Sequence, residues 1–341
     1  MSNRDFLIVE RYLATALGVR ALATAFEIGL IDALLAGEGD EAELARSCRL
    51  TGFGHALIMD LLIGAGIVMR GEDGVALTSG FRDALRFRDL LEAKLAFLHL
   101  VAPDIEAHFT DLVREPQRFM AVSNVFDWFR YDRCLVVTDE NLAATRRWVA
   151  YTSLLTRHEA EAGLDHLDLG PSRHLLDIGG NSGAFVLAAC RRAPHLSATV
   201  FDLPVVCAIG REHVAGTPEA ERIKFVAGDM RRDPLPSGPD LISFKSVLHD
   251  WPEADVAHLL ERAHRRLEPG GRLVIFERGA LEPSRGPMPV SMMANVVFAP
   301  FYRAPLVYRD HLARLGFEAI TLERIELDMP FHLLTARKPG R

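Results

Sequence analysis

The sequence predicts an α/β fold: a mostly parallel, seven-stranded sheet with helices on both faces, preceded by a smaller and mainly helical domain. Three observations carry this. Short apolar runs alternate with helical stretches through the second half, the pattern of strands joined by crossover helices. Five consecutive runs lead to an acidic or ionisable residue, as they would if one sheet edge gathered them. The first hundred residues instead repeat alanine and leucine at three- and four-residue spacing, a helical period.

From Asp5 to about Gly66 that period holds, with Gly37 as a stop. Two short helices follow Gly37, and a small hairpin turning at Glu72, Asp73 and Gly74 closes the set, which reads as a winged helix over residues 1–100. A DNA-reading winged helix needs cations on its second helix. Here Leu50 to Met69 carry no lysine or arginine, and the first hundred residues hold 10 Lys+Arg against 14 Asp+Glu. The domain is expected to pair with a second copy of itself instead.

Residues 101–165 read as a helical connector, with Asp139 as N-cap and Gly163 as stop of its last helix. Trp128, Phe129, Tyr131, Trp148 and Tyr151 lie in it, either as helix core or as a lid over a flat substrate. Residues 166–341 supply the sheet: runs at 173–178, 198–202, 222–227, 240–245, 271–277, 317–322 and 331–337. The last two are close enough in sequence to end the sheet with an antiparallel strand.

Bulk properties narrow the function. A formal net charge of −7 gives no basic field for nucleic acid. Cys48, Cys134, Cys190 and Cys207 lack CxxC or metal-like spacing, so no metal site or disulfide is expected and a reducing compartment suits them. Charges interrupt the apolar N-terminus, and no stretch reaches the roughly 20 apolar residues of a membrane span, so a cytoplasmic protein is expected.

The strand ends then define a ligand. The first run ends at Asp177 and leads into Gly179-Gly180-Asn181-Ser182-Gly183. This loop departs from the dinucleotide fingerprint, because Asn181 stands where its second glycine belongs, and pyrophosphate is disfavoured. Gly179 and Gly183 still let backbone approach a ligand, before a helix N-terminus that favours a carboxylate. Asp202, 25 residues past Asp177, is spaced to accept two ribose hydroxyls, and Asp229 with Met230 suits an adenine amino group and ring. A nucleoside carrying an amino acid, S-adenosylmethionine, fits this set.

From "LLDIGGNSG" through "VFDLP", "FVAGDM", "FKSVLHDWPE" and "LEPGGRLVIFE", the chain resembles the plant-type and bacterial small-molecule O-methyltransferases, and its N-terminal half is similar to their winged-helix dimerisation domain. The resemblance implies a Rossmann-like catalytic domain, a homodimer, a small-molecule acceptor, and cofactor contacts at Gly179, Asp202, Asp229, Met230 and Lys245. It also implies a metal-independent mechanism with His249 as general base. A phenol with pKa near 10 needs such a base at neutral pH, and a neutral histidine, ordinarily near 6.5, supplies one. Glu277, on the neighbouring strand end, is the expected partner of its other ring nitrogen. Asp250 is read first as an N-cap before Pro252 and Glu253, and otherwise as a second partner of His249.

The chain also departs from the family pattern. No acid occurs between Glu282 and Asp310, where a second carboxylate commonly flanks the histidine, so Glu277 works alone or Arg303 meets a substrate carboxylate. Met292, Asn295, Phe298 and Phe301 are candidate pocket residues. Carbon methylation or a non-methylating reaction on the same fold, and a DNA-binding sensor of S-adenosylmethionine, are the competing readings.

Overall fold

The computed structural model describes residues 17–37, 39–71, 74–280 and 292–340. The expected helix start at Asp5 and the turn residues Glu72 and Asp73 lie outside them. The chain separates into two compact units, one ending at His99 and one beginning at Leu100.

The first unit contains α1 (Leu17–Glu27), α2 (Leu30–Ala36), α3 (Glu41–Ser47), α4 (Gly52–Gly64), the hairpin strands β1 (Val68–Gly71) and β2 (Gly74–Leu77), and α5 (Ser79–Ala84). Side-chain caps start α3 and α4: Asp40 accepts from the Glu43 N–H at 2.8 Å and Thr51 from the Gly54 N–H at 3.0 Å. Gly37 ends α2 with φ of 98°, as expected. Leu30, Ile31, Leu34, Leu44, Met59 and Leu62 form the core, and β1 pairs antiparallel with β2.

Helix α6 (Arg88–Arg114) is followed by α7 (Pro116–Val122), α8 (Val125–Trp128) and the long α9 (Asp139–Leu164). The cap of α9 is Thr138, whose hydroxyl accepts from the Asn141 N–H at 3.1 Å, and not Asp139. Gly163 is not a stop either. It lies within the helix because a Cβ there would stand 2.7 Å from the Phe276 ring, so glycine lets α9 press onto the sheet.

All seven expected strands form: β3 (His174–Ile178), β4 (Ser197–Asp202), β5 (Ile223–Ala227), β6 (Leu241–Lys245), β7 (Arg272–Arg278), β8 (Glu318–Glu326) and β9 (Pro330–Arg337). Their spatial order is β5-β4-β3-β6-β7-β9-β8, with β9 antiparallel to both neighbours. Helices α10 (Ala184–Arg192), α11 (Pro204–Val214), α12 (Glu253–Arg266), α13 (Met293–Val296) and α14 (Pro305–Arg314) complete the unit.

The strands show the two-residue period of a sheet buried on both faces. Leu175, Val274 and Phe276 join a core with α9 and α10, while Leu176, Ile242 and Ile275 join another with α12 and α14. Chain order reverses between β3 and β6, and the crevice beyond their carboxyl ends is where such sheets bind ligands.

Candidate active site

Two loops meet at that crevice. The first leaves β3 through Gly179 (φ 71°) and Asn181 (φ 54°) into α10. A Cβ at Gly179 would lie 2.6 Å from Val247 Cγ2 and 3.0 Å from Met230 Cε, so only glycine lets the loops after β3, β5 and β6 close together. Behind the loop, buried Asp177 accepts from Ser243 Oγ at 2.5 Å, and burial pushes its carboxyl up to about 7. Asp202 accepts the N–H of Asn181 at 2.8 Å and of Leu203 at 2.7 Å, and burial raises it to about 6.

A cavity of about 190 Å³ opens here, lined by Gly179, Asp202, Asp229 and Met230, with Asn181, Tyr131, Trp148 and Trp251 on its other walls. Four of the seven expected cofactor residues thus face one space. Asp177, Gly183 and Lys245 stand outside its lining. Lys245 turns away: its Nζ donates to Thr156 Oγ1 at 2.9 Å and pairs with Glu159, which also receives Arg278. Burial works against the charge on Glu159, but Arg278 and Lys245 outweigh it and keep its carboxyl below the usual range. Asp229 is held by Arg231, whose Nε and Nη2 donate at 3.1 and 3.0 Å, and the same guanidinium covers the Trp251 ring at 4.2 Å.

The second loop leaves β6 through Ser246, in a left-handed conformation (φ 51°), and turns at Leu248–Asp250. Glu277, 1% exposed at the end of β7, organises it. One of its oxygens lies 2.7 Å from His249 Nδ1, and the other accepts the N–H groups of Val247 and Leu248, each at 2.7 Å. His249 Nε2 lies 3.4 Å from Asp250 Oδ1, and Tyr131 donates to Asp250 Oδ2 at 2.7 Å. Burial depresses the His249 pKa, but the Asp250 and Glu277 carboxylates outweigh it, so the net shift is upward. The Tyr302 ring stands edge-on to the imidazole at 5.3 Å.

Two expectations are corrected by this geometry. Asp250 caps nothing: helix α12 begins after Pro252 without a side-chain cap, and the Asp250 carboxylate lies on the cavity wall between Tyr131 and His249. The guanidinium of Arg303 is engaged by main-chain carbonyls, with Nη1 donating to Leu248 O at 3.0 Å and Nη2 to Trp251 O. It braces the histidine loop instead of meeting a substrate carboxylate.

The remaining pocket candidates lie elsewhere. Met292 is buried in the α9-side core, and Asn295 Nδ2 approaches its sulfur at 3.9 Å. Phe298 packs edge-on to Phe129 at 5.5 Å and to Phe126 at 5.9 Å, and Phe301 meets Phe126 at 5.9 Å, forming a wall of aromatic rings. Cys134, Cys190 and Cys207 are buried. No metal-ligating cluster occurs among the described residues, and no described helix is long and apolar enough to cross a membrane.

Sequence reasoning missed Glu159, Arg278 and the Tyr131–Asp250 contact. The aromatic-rich "WFRYD" was the only trace of Tyr131, and nothing marked Glu159.

A doubly wound sheet with a glycine loop and acidic strand ends at its switch point belongs to the α/β class that binds ligands at that crevice. The model of the O-methyltransferase domain family matches residues 139–317, and the chain belongs to this family of S-adenosylmethionine-dependent methyltransferases. It is 28% identical to the 3-hydroxy-5-methyl-1-naphthoate 3-O-methyltransferase of Streptomyces sahachiroi, over 83% of this chain and 80% of that protein. It is 29% identical to the acetylserotonin O-methyltransferase of Mus musculus, over 99% of this chain and 90% of that one. The solved human N-acetylserotonin methyltransferase, in complex with SAM, has the same fold, with a TM-score of 0.75 and 23% identity over 100% of both chains.

Proposed function

We propose that this protein methylates a hydroxyl, phenolic in character, on a small secondary metabolite, with His249 as general base. The observation that carries this is the 2.7 Å contact of His249 Nδ1 with the buried Glu277 carboxylate. That contact assigns the Nδ1 proton to the carboxylate side and leaves Nε2 with its lone pair. When a hydroxyl reaches Nε2, the neutral ring takes its proton, and Glu277 stabilises the imidazolium. Asp250, at 3.4 Å from Nε2, adds a second carboxylate field there.

The residues present fit S-adenosylmethionine. Asp202 retains acceptor capacity beyond its two backbone donors. Two buried groups without a partner among the described residues, Asn181 Oδ1 and Trp251 Nε1, belong to residues of the cavity wall. Gly179, Asp202, Asp229 and Met230 would hold the nucleoside, while Asp177, Gly183 and Lys245 would shape the loops around it. When bound, S-adenosylmethionine supplies an electrophilic methyl group. The relatives named above act on a hydroxynaphthoate and on acetylserotonin. The rings of Trp148 and Trp251 on the cavity wall suit a flat acceptor of that kind.

A homodimer completes the reading. Helix α4 in the proposed winged helix exposes Phe53 (78%) and Leu57 (47%), apolar side chains that a second copy would cover. The deciding experiment replaces His249 with alanine and follows the one-methyl mass gain of a phenolic acceptor. Loss of turnover with retained S-adenosylmethionine binding is expected. Near-normal turnover would overturn the assignment of the base.

A further inference from the structure

The loop after β3 holds asparagine where backbone conformation favours glycine. Asn181 has φ of 54°, a region asparagine tolerates and glycine occupies freely. Its side chain is fixed. Asn181 Nδ2 donates to Thr152 Oγ1 at 3.0 Å.

The orientation of this amide follows from counting donors. Thr152 Oγ1 lies 3.0 Å from Trp148 O and 3.2 Å from Val149 O, the carbonyls four and three residues back in its own helix, and its single proton goes to them. Towards Asn181 the hydroxyl can therefore only accept. Nitrogen must face Thr152, and the amide oxygen is the end left over. That oxygen is buried and has no hydrogen-bond partner among the described residues, while Asn181 itself lines the cavity. A buried amide oxygen without a donor is unfavourable, so it marks a place where a ligand donor belongs.

We infer that Asn181 Oδ1 accepts from the α-ammonium group of the amino-acid end of the cofactor, a side-chain contact within the glycine loop. This rests on the proposed function. Three kinds of donor are available on such a ligand: ribose hydroxyls, the adenine amino group and the ammonium. In that reading Asp202 takes the hydroxyls and Met230 with Asp229 takes the adenine, and all three line the same cavity. The ammonium is the donor-only cation that remains, and its bond to a neutral amide oxygen is charge-assisted.

The test compares two ligands by calorimetry: S-adenosylhomocysteine, which carries the amino-acid end, and 5′-methylthioadenosine, which lacks it. Asn181→Gly keeps the backbone unstrained and removes only the amide. We expect it to weaken S-adenosylhomocysteine about 10-fold, the lower range for a bond to a charged group, and to leave 5′-methylthioadenosine unchanged. Thr152→Val, which frees the amide to rotate, should weaken the first ligand by a smaller factor and spare the second. Equal weakening of both ligands by Asn181→Gly, or of neither, would overturn the inference. Wild-type protein that binds neither ligand would overturn the proposed function with it, a result distinct from any change in the variant alone.

Discussion

Glu277 and His249 are joined so that one carboxylate sets both the imidazole and the loop that carries it. Glu277 Oε2 lies 2.7 Å from His249 Nδ1, while Oε1 accepts from the Val247 and Leu248 N–H groups. Ring orientation, tautomer and backbone are thus referred to one buried anchor at the end of β7. Glu277→Gln substitutes an amide that cannot accept on both sides and stabilise an imidazolium. We expect kcat to fall by about 10²-fold or more, in the range of general-base contributions, with S-adenosylmethionine affinity nearly unchanged. Steady-state kinetics beside calorimetry checks this, and a loss confined to KM would contradict it.

The pH profile follows from the same neighbourhood. Burial lowers the His249 pKa, but Asp250 and then Glu277 raise it further than burial depresses it. A base must be neutral to accept a proton, so activity is low below its pKa and rises as pH increases through it. The acid limb of kcat/KM should therefore lie above the ordinary 6.5 of histidine. Asp250→Asn removes the largest raising influence, so the limb should move to lower pH. A limb that stays in place would show that Asp250 does not act on the base.

Arg303 makes a separable prediction. Its two contacts hold the carbonyls of Leu248 and Trp251, on either side of His249 and Asp250. Arg303→Ala should lower kcat by about 10-fold through a loosened loop, whether or not the acceptor carries a carboxylate, and Arg303→Lys should recover part of it. Sensitivity restricted to carboxylated acceptors would restore the role of substrate contact.

These contacts mark the boundary of what the sequence discloses. The strands were legible because a sheet buried on both faces writes itself as continuous apolar runs, and the cavity wall because strand ends place Asp202 and Asp229 on one edge. The job of Arg303 was not, and that of Asp250 was only the second of two readings, behind a helix cap. Tyr131 reaches Asp250 across 119 positions and Arg303 reaches Leu248 across 55, and no local periodicity encodes such pairs. Asp250 before a helix start looks like a cap because capping depends on local sequence, whereas its actual partners depend on how distant elements dock.

Lys245 shows the same limit and gives the strongest stability prediction. Read from sequence it is a cofactor contact, yet its ammonium points to Thr156 and Glu159, and Arg278 reaches Glu159 from the next strand. All three charged side chains are less than 10% exposed. Glu159 is thus the anion that Lys245 and Arg278 share, joining α9 to the ends of β6 and β7, just behind the two loops. Arg278 extends the link to Ser246 Oγ at 3.2 Å, where the histidine loop begins. Removing Glu159 leaves two buried cations without their shared hydrogen-bonded anion, a loss that breaking a buried ion pair puts at about 3–5 kcal/mol. Glu159→Ala should accordingly lower the melting temperature by on the order of 10 °C. Lys245→Met removes one cation and keeps the Glu159–Arg278 pair, so it should destabilise far less and retain most of the S-adenosylmethionine affinity. Thermal denaturation and calorimetry on both variants separate the two roles. A Lys245→Met protein that melts normally but no longer binds S-adenosylmethionine would return Lys245 to the cofactor site.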